Sequence, residues 1–132
     1  MRDTQLSDAS ANAAANVVTA LVDGGYLRIY SGAQPASAND PAIGTLLVEL
    51  PFSSPAYQSA VGGIAASNTI SAAVALATGT AGWYRVVKAN VTTVVFDGSV
   101  GTSDSNLNLN SVAIQVGITV SISGLNYNSN GP

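Results

Sequence analysis

Residues 98–122 read GSVGTSDSNLNLNSVAIQVGITVSI. Asn106-Leu107-Asn108-Leu109-Asn110 alternates polar and apolar side chains without a fault, and so does Gly117-Ile118-Thr119-Val120-Ser121-Ile122. A period of two is the mark of a strand with one face in a core and one in water. The intervening GTSDS and Gln115-Val116-Gly117 are turn sequences. This stretch predicts short strands joined by tight turns, and it carries no catalytic chemistry of its own.

The same grammar extends towards the N-terminus. Thr93–Asp97 reads as a strand, with Asp97-Gly98 as a turn signal. Trp83–Lys88 reads as another strand, whose Arg85 and Lys88 fall on opposite parities, so a bulge or exposed ends are expected. Trp83, the only tryptophan, is expected to anchor the core. Ala72–Gly82 reads as a loop, and Ile64–Ala66 with Thr69–Ser71 as a hairpin whose tip is Ser67-Asn68. Thr45–Leu50 reads as a strand ended by Pro51. Tyr26–Tyr30 reads as the first strand, with Leu27 and Ile29 inward and Tyr26, Arg28 and Tyr30 outward.

One helix precedes the strands. Ala11, Ala14, Ala15, Val18, Leu21 and Val22 recur at helical spacing over residues 9–23, and Asn12, Asn16, Thr19 and Asp23 form the opposite stripe. Ser7, Asp8 or Ser10 is placed to cap its start, and Gly24-Gly25 to end it. The expected organisation is an arm over residues 1–8, one β-sandwich domain over residues 9–128 that includes the helix, and a tail over 129–132. The helix packs either on its own domain or on a neighbouring subunit. About eight short strands after one helix predict a mainly β fold: an antiparallel β-sandwich or jelly-roll-like barrel with one N-terminal α-helix.

Composition narrows the function classes. Charged residues are 8% of the 132-residue chain, against about 25% in an ordinary domain. Neutral hydroxyls and amides therefore make the polar surface, or partners cover much of it. A net charge of −3, with only Arg85 and Lys88 near one another, argues against nucleic acid as a partner. No run of apolar residues is long enough for a membrane span, and the start lacks the apolar core of a secretory signal, so cytoplasmic synthesis and assembly are expected.

Catalytic signals are sparse. There is no histidine and no cysteine, and the carboxylates are scattered singly. Glu49 and Asp97 are one pair that folding could bring together as a glycosidase dyad. Asp97, Ser103, Asp104, Ser105 and Asn106 are oxygen donors of the type calcium takes, without the EF-hand spacing. No enzyme activity, cofactor or metal is expected. Contact is the better reading. Tyr26, Arg28 and Tyr30 form a row of residue types enriched at interfaces, although such a row is more often an ordinary outer face with Arg28 stacked over the rings. The loop Ser31–Gly44 is longer than most connections, and places Gln34, Pro35, Asp40 and Pro41 as further contact candidates.

The alanine-rich opening helix is followed by Gly25-Tyr26-Leu27-Arg28-Ile29-Tyr30-Ser31-Gly32-Ala33-Gln34-Pro35-Ala36. Gly44-Thr45-Leu46-Leu47, Gly79-Thr80-Ala81-Gly82-Trp83-Tyr84-Arg85 and the Leu-Asn-Leu-Asn stretch come later. In this order the chain resembles a family of small proteins encoded in the virion-structure modules of tailed bacteriophages. The resemblance implies a structural role and carries over no catalytic residue. The expected role is a capsid decoration or cement protein on the outer capsid surface of the virion. Its expected partners are the major capsid protein and further copies of itself, as a homotrimer or homodimer. A neck, tail or baseplate component is the alternative. So is a virion-surface carbohydrate-binding module using Tyr26, Tyr30, Tyr57, Trp83 and Tyr84.

Overall fold

A computed structural model describes residues 6–129. The chain is mainly β, with 37% strand, 10% helix and a sheet curled into a half-barrel. The helix α1 spans Asp8–Ala20. The strands are β1 (Tyr26–Ser31), β2 (Leu46–Pro51), β3 (Ile64–Ala65), β4 (Ala73–Val74), β5 (Gly79–Val87), β6 (Val94–Gly101), β7 (Leu107–Asn108), β8 (Ala113–Ile114), β9 (Thr119–Val120) and β10 (Tyr127–Asn128).

The main sheet runs β2-β1-β5-β6-β7, with β8 on the leading end of β5. Its central pairings are antiparallel, but β7 lies parallel to β6, a departure from the all-antiparallel expectation. Two further two-stranded ribbons, β3–β10 and β4–β9, complete the strands; β3 and β10 lie against α1, and β4 against β2. The inner face carries the core. Leu27, Ile29, Leu47, Val48, Leu50 and Val86 are fully buried, and Tyr84 packs with them. Leu107 and Leu109 are buried while Asn106, Asn108 and Asn110 face water, as their alternation requires.

Several boundaries move. Ser7 caps the helix, its hydroxyl accepting from the Ser10 N–H at 3.2 Å, so Ser7 and Asp8 belong to the helix start rather than to an arm. Residues 1–5 of that arm, and 130–132 of the expected tail, lie outside the described residues. The helix ends at Ala20, and its buried face is Ala11, Ala15 and Thr19. Ala14 and Leu21 of the expected apolar stripe are exposed.

The expected wet stripe is the docking stripe. Asn12 Oδ1 accepts from the Gly63 N–H, Asn16 Oδ1 from Ala60 and Asp23 Oδ1 from Ala56, all at 2.8–2.9 Å. Residues 56–63 bond to the backbone of 64–66 through the N–H groups of Gln58 and Val61, and the buried residues Ala56, Ala60 and Gly63 need another acceptor for theirs. The helix supplies it from side chains, and alanine at 11 and 15 lets the backbones approach. Ser129 ties the other end of the chain to this unit, its hydroxyl donating to the Ala11 carbonyl at 2.7 Å. The helix therefore packs on its own fold.

Other corrections follow from register. Residues 72–82, read as a loop, hold β4 and the start of β5. The two arms of the expected 64–71 hairpin separate: β3 pairs β10, and Ile70 bridges to Phe52. The last alternating run forms a strand only at Thr119–Val120. The irregularity expected near Arg85 is real: the β5–β6 register shifts between Val86 and Val87. Asp97-Gly98 is not a turn but the middle of β6. Gly98 lies opposite Tyr84, and a Cβ there would come within 2.3 Å of the Tyr84 ring. The glycine makes room for an aromatic ring lying across the strand.

Candidate functional site

The outer face of the main sheet gathers the residues that the sequence marks as candidates. Register sets Glu49, Arg28, Arg85 and Asp97 side by side across β2, β1, β5 and β6. The next row holds Tyr30 opposite Trp83, and Trp83 opposite Ser99. Asp97 takes Arg85 in a two-point bond, Nε to Oδ1 at 2.7 Å and Nη2 to Oδ2 at 2.9 Å. Both side chains are buried, 5% and 3% exposed. At the other end Arg28 Nε meets Glu49 Oε2 at 2.6 Å, with each side chain about a quarter exposed, 23% and 28%.

The aromatic arrangement differs from the expected one. Arg85, not Arg28, lies over a ring, its guanidinium carbon 5.2 Å from the Trp83 centroid. Tyr30 stacks on the same indole at 4.6 Å and 13°. Trp83 is fully buried on the outer face of the sheet and lies outside the main apolar cluster. Its anchoring role belongs to this second, smaller cluster. The Asp40 carboxylate of the loop 31–44 adds a small electrostatic contribution that favours charged Arg85. At the base of that loop, Gly82 is pressed against the Gly32 carbonyl, where a Cβ would sit 1.9 Å from the oxygen.

Electrostatics hold both guanidiniums charged. The hydrogen bond to Asp97 raises Arg85 above the ordinary arginine value against the opposing cost of burial. For Arg28 burial pulls downward most strongly, but the bonds and charges of Glu49 and Tyr30 together outweigh it. Both arginines of the row are thus committed to carboxylates. Glu49 and Asp97 stand three strands apart, roughly 14 Å at the usual inter-strand spacing, too far to flank one glycosidic bond.

Three of the five oxygen donors named around residue 104 are committed to the chain. Asn106 Oδ1 accepts from the Ser99 N–H, the Ser105 hydroxyl donates to the Ser103 carbonyl, and Asp97 holds Arg85. Among the described residues, no three of His, Cys, Asp and Glu converge as a metal site.

The candidate contact residues divide. Tyr30 is buried and Arg28 is paired, whereas Gln34, Asp40 and Pro41 are exposed and Tyr26 and Pro35 half-buried. Tyr57, Trp83 and Tyr84 are buried as well, so of the aromatic set named for glycan contact only Tyr26 presents an accessible ring.

A different surface gathers exposed apolar side chains. Val74, Leu76, Val116 and Ile118 are 43–60% exposed and come from the β4–β9 ribbon and its turn. The ribbon is held by Ala75 N–H to the Ile118 carbonyl at 2.8 Å and by Gly117 N–H back to Ala75 at 3.0 Å. Sequence reasoning missed this patch because Ala72–Ala77 is unbroken apolar chain, which has no period to separate one face from the other. Ile43, at 51% exposure, adds an apolar point on the long loop. None of the protein-family models, curated proteins or solved structures compared with the chain matches it.

Proposed function

We propose that this chain is a structural protein of a tailed-bacteriophage particle, acting as a capsid decoration or cement protein bound to the major capsid protein lattice. One observation carries the reading: the exposed Val74–Leu76–Val116–Ile118 patch lies in two stretches, 51–84 and 105–132, that contain no charged residue. A surface of that composition resembles the core of an interface more than a solvated face. The outer sheet face adds support, because its charges are matched within the chain. Gln34, Asp40, Pro41 and Ile43 give the long loop an exposed edge for a second contact.

The mechanism is additive. Each copy buries a modest apolar area, and repetition over a symmetric lattice converts weak single contacts into tight retention. Closed trimers or dimers match lattice symmetry axes. The test is the copy number per purified particle, by quantitative peptide mass spectrometry against the major capsid protein. Copies on the order of hundreds, in fixed ratio to the shell protein, are expected. About a dozen copies would move the chain to the neck, tail or baseplate. Absence from the particle would end the reading.

A further inference from the structure

A groove runs between two segments that share no strand ladder. One wall is residues 106–114 and the other 118–128, and each pairs elsewhere: β7 with β6, β8 with β5, β9 with β4 and β10 with β3. Between them four shallow cavities lie end to end. The first, about 280 Å³, shares Asn106 and Asn126 with the second. The second shares Asn108 and Ser123 with the third, and the third shares Asn110 and Ser121 with the fourth. The walls run antiparallel, since Asn106 meets Asn126 at one end and Ile114 meets Ile118 at the other. At about 3.3 Å per residue the groove is roughly 25 Å long.

Its lining has a fixed polarity. Asn106 Oδ1 accepts from the Ser99 backbone N–H at 3.1 Å, and Asn108 Oδ1 accepts from the Ser105 backbone N–H at 3.1 Å. A backbone N–H can only donate, so the carboxamide oxygen must face it and the NH2 must point away. Asn110, Asn126, Ser121 and Ser123 add exposed amides and hydroxyls. One end of the groove is aromatic: the half-buried Phe96 and Tyr127 rings lie 5.0 Å apart. Neither wall carries a charge, and the single carboxylate at the aromatic end, Asp97, is bound by Arg85.

We infer that this groove is a binding site for a neutral oligosaccharide, seated on Phe96 and Tyr127 and held along its length by the asparagine carboxamides. Sugar hydroxyls accept from amide NH2 groups and donate to amide oxygens, and the apolar C–H faces of a pyranose pack on aromatic rings. The length suits several sugar units in a row. The walls share no ladder, so an added peptide strand is the competing occupant; the exposed carboxamides and the aromatic end favour a sugar. Of the aromatic set that the sequence suggested, only the buried Tyr84 lines this groove, and the platform is the Phe96–Tyr127 pair instead. The site stands whether or not the chain occupies a phage particle.

The test uses the full chain on a microarray of neutral and acidic glycans. Amide NMR titration follows, with oligosaccharides of increasing length built on glucose, galactose or mannose. The expected result is binding to neutral members, tightening with length, with shifts confined to residues 96–97, 106–114 and 118–128. Asn126→Ala, an exposed change, should weaken binding about tenfold while leaving the fold intact, and Tyr127→Ala should do at least as much. The inference is overturned if no neutral glycan shifts these amides at millimolar concentration, or if Asn126→Ala and Asn110→Ala bind as the parent does. Shifts produced only by extended peptides would assign the groove to strand addition and overturn it equally.

Discussion

The outer sheet face and the carboxamide groove are both polar surfaces built on neighbouring strands, yet they leave the molecule in opposite states. On the sheet face, opposite charges in register find each other, and Asp97 and Arg85 satisfy one another so fully that both leave the solvent. In the groove the polar groups are amides, each carrying an acceptor and a donor set. The chain uses the oxygens of Asn106 and Asn108 to fix its own turns, and their nitrogens make no hydrogen bond among the described residues. A matched ion pair closes a surface, whereas an amide anchored by one end keeps a hydrogen-bonding group available.

The strongest way to break that comparison is Asp97→Ala. It leaves Arg85 charged and buried against Trp83 without its carboxylate, and the expected loss is about 3–5 kcal/mol in urea unfolding. A loss near that of an exposed pair would mean that the face is open after all.

A second test uses alkaline pH. Burial, and then the charge of Tyr84, raise the Tyr57 phenol above its ordinary value of 10.0, and burial with Asp97 raises Tyr84. A raised phenol favours the protonated form in the fold. Its contribution is whole below about pH 10 and is lost as pH climbs above that, where the unfolded chain ionises first. The Tyr57 hydroxyl also finds no partner among the described residues. Tyr57→Phe should therefore add about 1 kcal/mol at neutral pH and flatten the alkaline decline. Urea midpoints measured across pH 8–11 check both, and an unchanged alkaline slope would contradict the burial argument.

The smallest effect expected is at the open end of the charged row. Glu49→Ala removes a partner that is about a quarter exposed, and should cost about 0.5–1 kcal/mol, shrinking as salt is added. A cost equal to that of Asp97→Ala would show that exposure does not separate the two pairs.

The parts of the fold legible in the sequence are those where one face is apolar and the other polar. Leu27 and Ile29 turn inward from β1, and Leu107 and Leu109 from their strand, because alternation leaves only one way to bury them. The helix is legible as a helix, but its orientation is not. Asn12, Asn16 and Asp23 look like a wet face until the loop backbone at 56–63 is brought against them. The β4–β9 patch is hidden by its uniform apolarity. The outer-face candidates are legible as a row, but which arginine covers the indole depends on Trp83 lying beside Tyr30 across β1 and β5.

By itself the sequence determined a mainly β chain with one N-terminal helix, because periodicity and turn residues act within a few positions of one another. The tertiary structure alone decided which polar groups are spent internally and which stay available. It set Arg85 on Asp97, bonded the helix asparagines to the backbone at Ala60 and Gly63, and left the nitrogens of Asn106 and Asn108 unbonded among the described residues. Those outcomes depend on partners that are distant in sequence and on the register between strands, and no local pattern encodes either.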